Sequence, residues 1–313
     1  MSAPRVLVAI VSWNSAAHLP AAVASVPKGV PVLVVDNAST DGSAEAARAA
    51  GAHVIAPGRN LGFGPACNLA AKEGAPSETI FFLNPDAALV EGEASLAALL
   101  AALDDADVAA AAPRLSGDGQ EAFQLRRLPR LSGITREALL LDRAFPGNAG
   151  LRRDRYLDRP RDAPFDVEQP AAAALLVRRT DFEAVGGFDP AFAPAWFEDV
   201  DLCAKLCAAG RRIRYVPSAE ATHLGGVAMN AVSWRDFRPL YVRNQFRYLA
   251  RHASAPVRAA AWGATVAGAL LRLALSPVLG GDHPPADVAA AQVRVLAGLL
   301  GLGWRSALLS EAA

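Results

Sequence analysis

Three cysteines in 313 residues, Cys67, Cys203 and Cys207, are too few and too odd a set for a disulfide framework. That sparseness suits a reducing compartment. Neither sign of charge is in excess: Lys+Arg and Asp+Glu stand at 31 each, which argues against a nucleic-acid partner on bulk charge. No apolar run is long enough to cross a bilayer. The best candidate, Ala259 to Leu271, has 13 residues where roughly 20 are needed, and Arg272 and Pro277 follow it. The first apolar run, within "MSAPRVLVAIVSWNS", is short for a signal peptide and lacks a small-residue cleavage pattern, so it reads as a first buried strand. Also missing are a P-loop, the G-x-G-x-x-G of dinucleotide folds, a G-x-S-x-G nucleophile turn, internal repeats and low-complexity tracts.

What is present is a chain that is 52% hydrophobic, ample for a large core. Strand-like apolar runs recur at Arg5–Ser12, Val32–Asp36, Ala52–Ala56, Thr79–Leu83, Val108–Ala112, Ala172–Arg178 and Ile213–Val216. Helical stretches lie between several of them, with Leu19, Val23 and Val26 at i, i+4, i+7. Gly51, Gly74 and Gly210 stand where helices should stop. Such alternation with continuously apolar strands predicts an α/β fold, a mostly parallel sheet covered on both faces. Cys203 and Cys207, four apart on a probable helix with no further ligand near, read as core packing.

In a sheet of this kind ligands bind at the carboxyl ends of the strands. The first strand ends in Ser12-Trp13-Asn14, the second in Asp36-Asn37, the third in Gly58-Arg59-Asn60 and the fourth, "TIFFL", in Asn84-Pro85-Asp86. Any one of these is a turn or cap by default. Four in series on the ligand edge point to a site. Asp36 can accept from a ring N–H or a ribose hydroxyl, and "GRNLGFGPACN" combines three glycines with Arg59, suited to a diphosphate. Later, "AWFEDVDLC" carries Glu198, Asp199 and Asp201 at the start of a helix. A helix dipole explains one or two acids there. Three, behind Trp196 and Phe197, fit carboxylates crowded to make a general base. His223, in "ATHLGG" just past the predicted strand Ile213–Val216, is a candidate metal ligand together with Asp86.

These segments, with "VAIVSWNSAAHLPAAVASV", "VVDNASTDGS", "FFLNPDA", "AAALLVRRTDFEAVGGFDPAF" and "GRRIRYVPSAEATHLGG", resemble in order the inverting family 2 glycosyltransferases, rhamnosyltransferase-like branch, over about residues 5 to 226. The resemblance implies a GT-A-like fold with a C-terminal helical extension. It implies a catalytic domain over 1–230, with a donor half to about 115 and an acceptor half beyond it, and a helical extension over 231–313. It implies a divalent cation, Mg2+ or Mn2+, at Asp86 and His223, a donor linked to dTDP or UDP, and a glycan or lipid-linked glycan acceptor. Asp199 matches the base and Glu198 its neighbour; Asp36 matches the nucleobase reader, with Arg59 beside it. Ser12, Asn14, Asn37, Asn68 and Asn84 complete the expected donor site, Asn84 standing where the family often has a first carboxylate. Ala172 replaces a more usual Gly. A sugar nucleotidyltransferase would want a Gly-rich loop with a Lys near the N-terminus, which is missing; an inactive sugar-nucleotide-binding module would have Asp86 or Asp199 misplaced.

In the tail, Arg243, Arg247 and Arg251 recur at i, i+4, i+8 and Arg258 continues them ahead of the apolar run. Basic and apolar faces together suit the inner, anionic face of a cytoplasmic membrane. Helices packed on the catalytic domain or on a second copy in a homodimer account for the pattern equally well.

Overall fold

The first strand, VLVAIVS, is buried at every position, and so is the fourth, TIFFL. A strand apolar on both sides must be covered on both faces. In the computed structural model, which describes residues 5–117, 123–225, 232–279 and 283–306, that is how they sit. Phe81 joins Ile10, Leu83 and Leu99 in the main core on one face. Phe82 faces the other way, with ring centroids 5.3 Å from Phe182 and 5.2 Å from Phe188.

Among the described residues the strands are β1 (Val6–Ser12), β2 (Val32–Asp36), β3 (His53–Ile55), β4 (Thr79–Leu83), β5 (Ala87–Val90), β6 (Val108–Ser116), β7 (Leu125–Arg126), β8 (Phe165–Val167), β9 (Gln169–Pro170), β10 (Ala174–Arg178) and β11 (Arg212–His223). The main sheet has nine strands, ordered β3-β2-β1-β4-β10-β6-β11-β5, with β8 also on β11. β1, β2, β3, β4, β6 and β11 run one way; β10, β5 and β8 run against them. Helices flank this mostly parallel sheet, as expected. β5 was not foreseen. Just three residues separate it from β4, yet it pairs with β11 at the far end of the sheet order. Asn84-Pro85-Asp86 is therefore the crossing from one strand to another, not an ordinary hairpin turn. β11 also runs further than the predicted Ile213–Val216. Pro217 looks like a strand breaker, but a register shift between Val216 and Glu220 absorbs it, as bulges do. His223 is consequently the last residue of the strand rather than a residue beyond it.

The chain divides into two compact units, residues 1–127 with 155–228, and residues 128–154 with 229–313. The expected boundary near residue 230 falls in segment 226–231, outside the described residues, as does Gly226, the second glycine of "HLGG". The stretch 128–154, which the sequence reading gave to the acceptor half, belongs with the C-terminal helices instead.

In that second unit, helix Ala255–Ala274 packs Gly268 on helix Leu131–Ala138 so closely that a Cβ there would lie 2.2 Å from the Ala138 carbonyl oxygen. Arg272, buried beside it, donates to the carbonyls of Ala138 and Glu137, satisfying the C-terminal end of that helix. Val242, Ala269 and Val295 join three helices in a small core. The predicted stripe of arginines does not form one outer face. Arg243 is 8% exposed and bonds Asn244 Oδ1 at 3.0 Å. Burial, and then the charge of Arg247, pull its pKa down to about 10. Arg251, two turns on, is exposed.

Candidate active site

Because six strands of the sheet share a direction, their carboxyl ends share an edge, and most of the sequence-predicted residues collect there. Ser12 and Asp36 end β1 and β2 and are register partners. Both are buried, at 0% and 5% exposure, and neither Ser12 Oγ nor Asp36 Oδ1 has a hydrogen-bond partner. Asp36 Oδ2 accepts from Ser39 N at 3.3 Å. Leaving such atoms unsatisfied costs about 1–3 kcal/mol apiece, which a ligand with matching polar groups would recover.

The neighbouring amides hydrogen-bond to nearby loops. Asn14 Oδ1 accepts from Thr40 N at 2.9 Å, and Asn37 Oδ1 accepts from Leu61 N at 2.7 Å. Asn68 clamps Phe188 twice, Nδ2 donating to its carbonyl at 2.7 Å and Oδ1 accepting from its N–H at 2.9 Å. All three are expected at the donor from the sequence; in the structure these amide atoms brace the loops around the edge. Arg59 is exposed on its loop. Gly62 also has a structural duty: at φ 83° a Cβ would come within 2.9 Å of the Pro194 backbone, and Phe63 N donates to Pro194 O at 2.8 Å. This close approach, which a side chain would prevent, brings the glycine loop against the segment leading to the acidic cluster.

At the crossing between β4 and β5, Asp86 meets His223. Ala87 and His223 are register partners, Leu224 N donates to Asp86 O at 3.1 Å, and His223 Nε2 lies 3.3 Å from Asp86 Oδ1. Asn84 Nδ2 is 3.5 Å from the same ring nitrogen. Burial alone would raise the Asp86 pKa, but the hydrogen bond and charge of His223, with a smaller contribution from His18, hold it below the usual carboxylate range. A carboxylate and an imidazole side by side fit a divalent cation such as Mn2+ or Mg2+. Among the described residues no three His, Cys, Asp or Glu side chains converge, so such an ion would complete its shell from groups other than these side chains.

The acidic cluster opens helix Glu198–Ala208 in an unusual way. Trp196 and Phe197 both adopt φ 72°, left-handed for bulky residues, which costs of order 1–3 kcal/mol each. No side chain caps the helix. The three acids then separate by environment. Asp201 is fully buried and pairs with Lys205 Nζ at 3.1 Å, so it is structural. Glu198, 8% exposed with Oε2 unpartnered, packs beside Gly64; burial and then the Asp199 charge push its pKa well up. Asp199 stays partly exposed. Its Oδ1 accepts from Val200 N at 2.8 Å and its Oδ2 accepts from Gln169 Nε2 at 3.1 Å. Gln169 is 1% exposed and also donates to Pro170 O at 3.1 Å, which fixes its amide. The sequence reading missed Gln169, since a lone Gln in "EQPAAAA" carries no motif. The resulting pair, one carboxyl whose pKa burial raises and one held in place by an amide, is the pattern expected where a single base is needed.

This edge has the fold and the residue order of a known family. Residues 7–158 match the model of Glycosyl transferase family 2. An N-acetylglucosaminyl-diphospho-decaprenol L-rhamnosyltransferase of Mycobacterium tuberculosis is 34% identical over 242 residues, 69% of this chain and 75% of the relative. The chain belongs to glycosyl transferase family 2. It is a rhamnosyltransferase-like glycosyltransferase with a GT-A-like fold. A mannosyltransferase from Pyrobaculum calidifontis, solved with GDP-Man and Mn2+, superposes with a TM-score of 0.55 at 20% identity, covering 95% of this chain and 88% of that one. GalNAc-T7, solved with UDP, GalNAc and Mn2+, gives 0.56 at 15% identity over 78% of this chain and 48% of that one. At such identities these two speak for the fold.

Proposed function

We propose that this family 2 enzyme moves rhamnose, with inversion, from a dTDP- or UDP-linked donor to a hydroxyl of a glycan or lipid-linked glycan in cell-surface polysaccharide synthesis. The donor and acceptor class follow the rhamnosyltransferase relative, whose name specifies a diphospho-decaprenol substrate. The observation that carries the mechanism is the Asp86–His223 contact of 3.3 Å at one sheet edge with the unsatisfied Asp36 and Ser12 atoms. A divalent cation bound by Asp86 and His223 would neutralise charge on the departing diphosphate. Asp36 Oδ1 accepts from the nucleobase, and Arg59 meets the diphosphate from its loop. Asp199 takes the proton of the attacking hydroxyl, held by Gln169 in the orientation that aims its lone pair. The raised pKa of Glu198 disfavours a second negative charge beside it.

A screen of sugar nucleotides with acceptor, scored for release of nucleoside diphosphate, tests this. The expected result is release from a rhamnose donor that stops in excess chelator. Release of pyrophosphate from a nucleoside triphosphate would identify a nucleotidyltransferase instead. Tight donor binding without turnover on any acceptor would favour an inactive binding module.

A further inference from the structure

The balanced composition hides a division of charge. Residues 128–154 and 229–313 contain fourteen arginines, no lysine and seven acidic residues, a net of +7, so the other unit carries −7 within a chain of net +0. Every acidic residue described in the basic unit is already paired with an arginine: Glu137 with Arg238, Asp142 and Asp154 with Arg136, Asp236 with Arg294, and Asp287 with Arg235. Part of the positive surplus is exposed, at Arg130, Arg152, Arg153 and Arg251, while Arg243 and Arg272 are buried.

The same unit carries an apolar surface. On helix Ala255–Ala274 the exposed positions fall along one side, and none of them from Ala259 onward is charged. Trp262, Leu270 and Leu271 are 40%, 53% and 37% exposed, with alanines and Gly263 filling the stripe between them. Leu275 and Val278, 37% and 78% exposed, extend it past the helix end. The one arginine in this stretch, Arg272, is turned inward onto the carbonyls of Glu137 and Ala138. Arg258 lies one turn ahead of Trp262, and the Trp262 indole donates to Leu299 O at 3.1 Å, beside exposed Leu300 and Leu302. No helix among the described residues is long and apolar enough to cross a membrane.

We propose that this face, Trp262–Val278, is a docking surface for an anionic lipid bilayer, with the helix lying in the headgroup plane and the arginine surplus supplying attraction. A stripe this apolar belongs in a core or an interface, and the +7 of its unit favours a negatively charged partner over the same face of a second copy. A helix apolar on one side with an arginine at its margin partitions at the interface without spanning it, and each arginine reaching an acidic surface is worth about fivefold in binding. The face lies on this unit alone and needs neither donor nor acceptor, so the reading stands or falls separately from rhamnosyl transfer.

The test is flotation of the full chain, without substrate, on phosphatidylcholine vesicles with and without phosphatidylglycerol. Wild type should float with the anionic vesicles only and dissociate as salt rises. Leu270→Asp with Leu271→Asp should lose about tenfold or more in binding, while its melting temperature stays near wild type because both side chains are exposed. Quenching of tryptophan fluorescence by brominated lipids gives a reading on wild type that needs no variant. Wild type that stays unbound at low salt overturns the proposal. So does unchanged binding by the double variant, or a dimer in light scattering that the double variant dissolves.

Discussion

Asp199→Asn separates a base from a helix start. In the variant the retained carbonyl can still accept from Val200 N, now at 2.8 Å, but the new amide faces Gln169 Nε2 donor to donor across 3.1 Å. Turning the Gln169 amide around would relieve that clash at the expense of its bond to Pro170 O. One hydrogen bond to a charged group is thus lost, worth about 1.5–3 kcal/mol. That lowers the melting temperature by about 3–12 °C, given roughly 2–4 °C per kcal/mol in a domain of this size. A protein with about 5–15 kcal/mol of stability remains folded after such a loss. Turnover should nonetheless fall by about two to four orders of magnitude, since a positioned base contributes that much. Donor affinity, which the proposed mechanism assigns to Asp36, Asp86 and the glycine loop, should stay within about twofold of wild type on the same reasoning. Asp201→Asn should do the reverse. It unpairs Lys205 from a fully buried carboxylate, so stability drops, by about 3 kcal/mol or more, while the rate of the folded fraction holds. The assays are nucleoside diphosphate release under saturating donor, donor titration by calorimetry, and a thermal melt of each variant. Turnover of Asp199→Asn within about threefold of wild type, against the loss of two orders or more expected of a base, would refute the assignment and leave the acids as a helix start.

Three further outcomes are expected. Glu198 binds its proton more tightly folded than unfolded, so it subtracts stability as pH climbs from its ordinary value of 4.5 toward its raised folded value; Glu198→Gln should melt higher than wild type, by a margin that widens toward alkaline pH, and equal melting curves at every pH would show that Oε2 is solvated. Asp86→Ala should weaken donor binding and turnover together, by at least the about 10- to 100-fold that losing a lesser support of a metal site costs, and full activity of wild type in excess chelator would contradict it. Gly268→Ala should destabilise the chain even though Ala is the better helix former by about 1 kcal/mol, because the new Cβ would stand 2.2 Å from the Ala138 carbonyl; a melt at or above wild type would mean that the two helices separate easily.

β1, β2 and β4 were legible in the sequence because both faces of each are covered, so their residues are apolar without interruption. The polar residues at their carboxyl ends followed, and so did the acidic helix start, since local spacing alone positions Glu198, Asp199 and Asp201 in one turn. β5, β8 and β9 left no comparable trace: strands of two to four residues are held by their partners rather than by their own pattern. Burial is likewise a property of neighbours far along the chain. The sequence shows three acids alike; only the packing makes Asp201 an ion pair, Glu198 a buried carboxyl with a raised pKa and Asp199 a held carboxylate. The amide that holds it, Gln169, comes from thirty residues earlier in the chain. The meeting of Asp86 with His223 arises from the register of β5 on β11, and the +7 of the helical unit emerges only when residues 128–154 join the C-terminal helices. Spacing along a chain fixes which residues share an element, while which of them meet, lose water or keep a charge is decided by the elements that the fold lays against them.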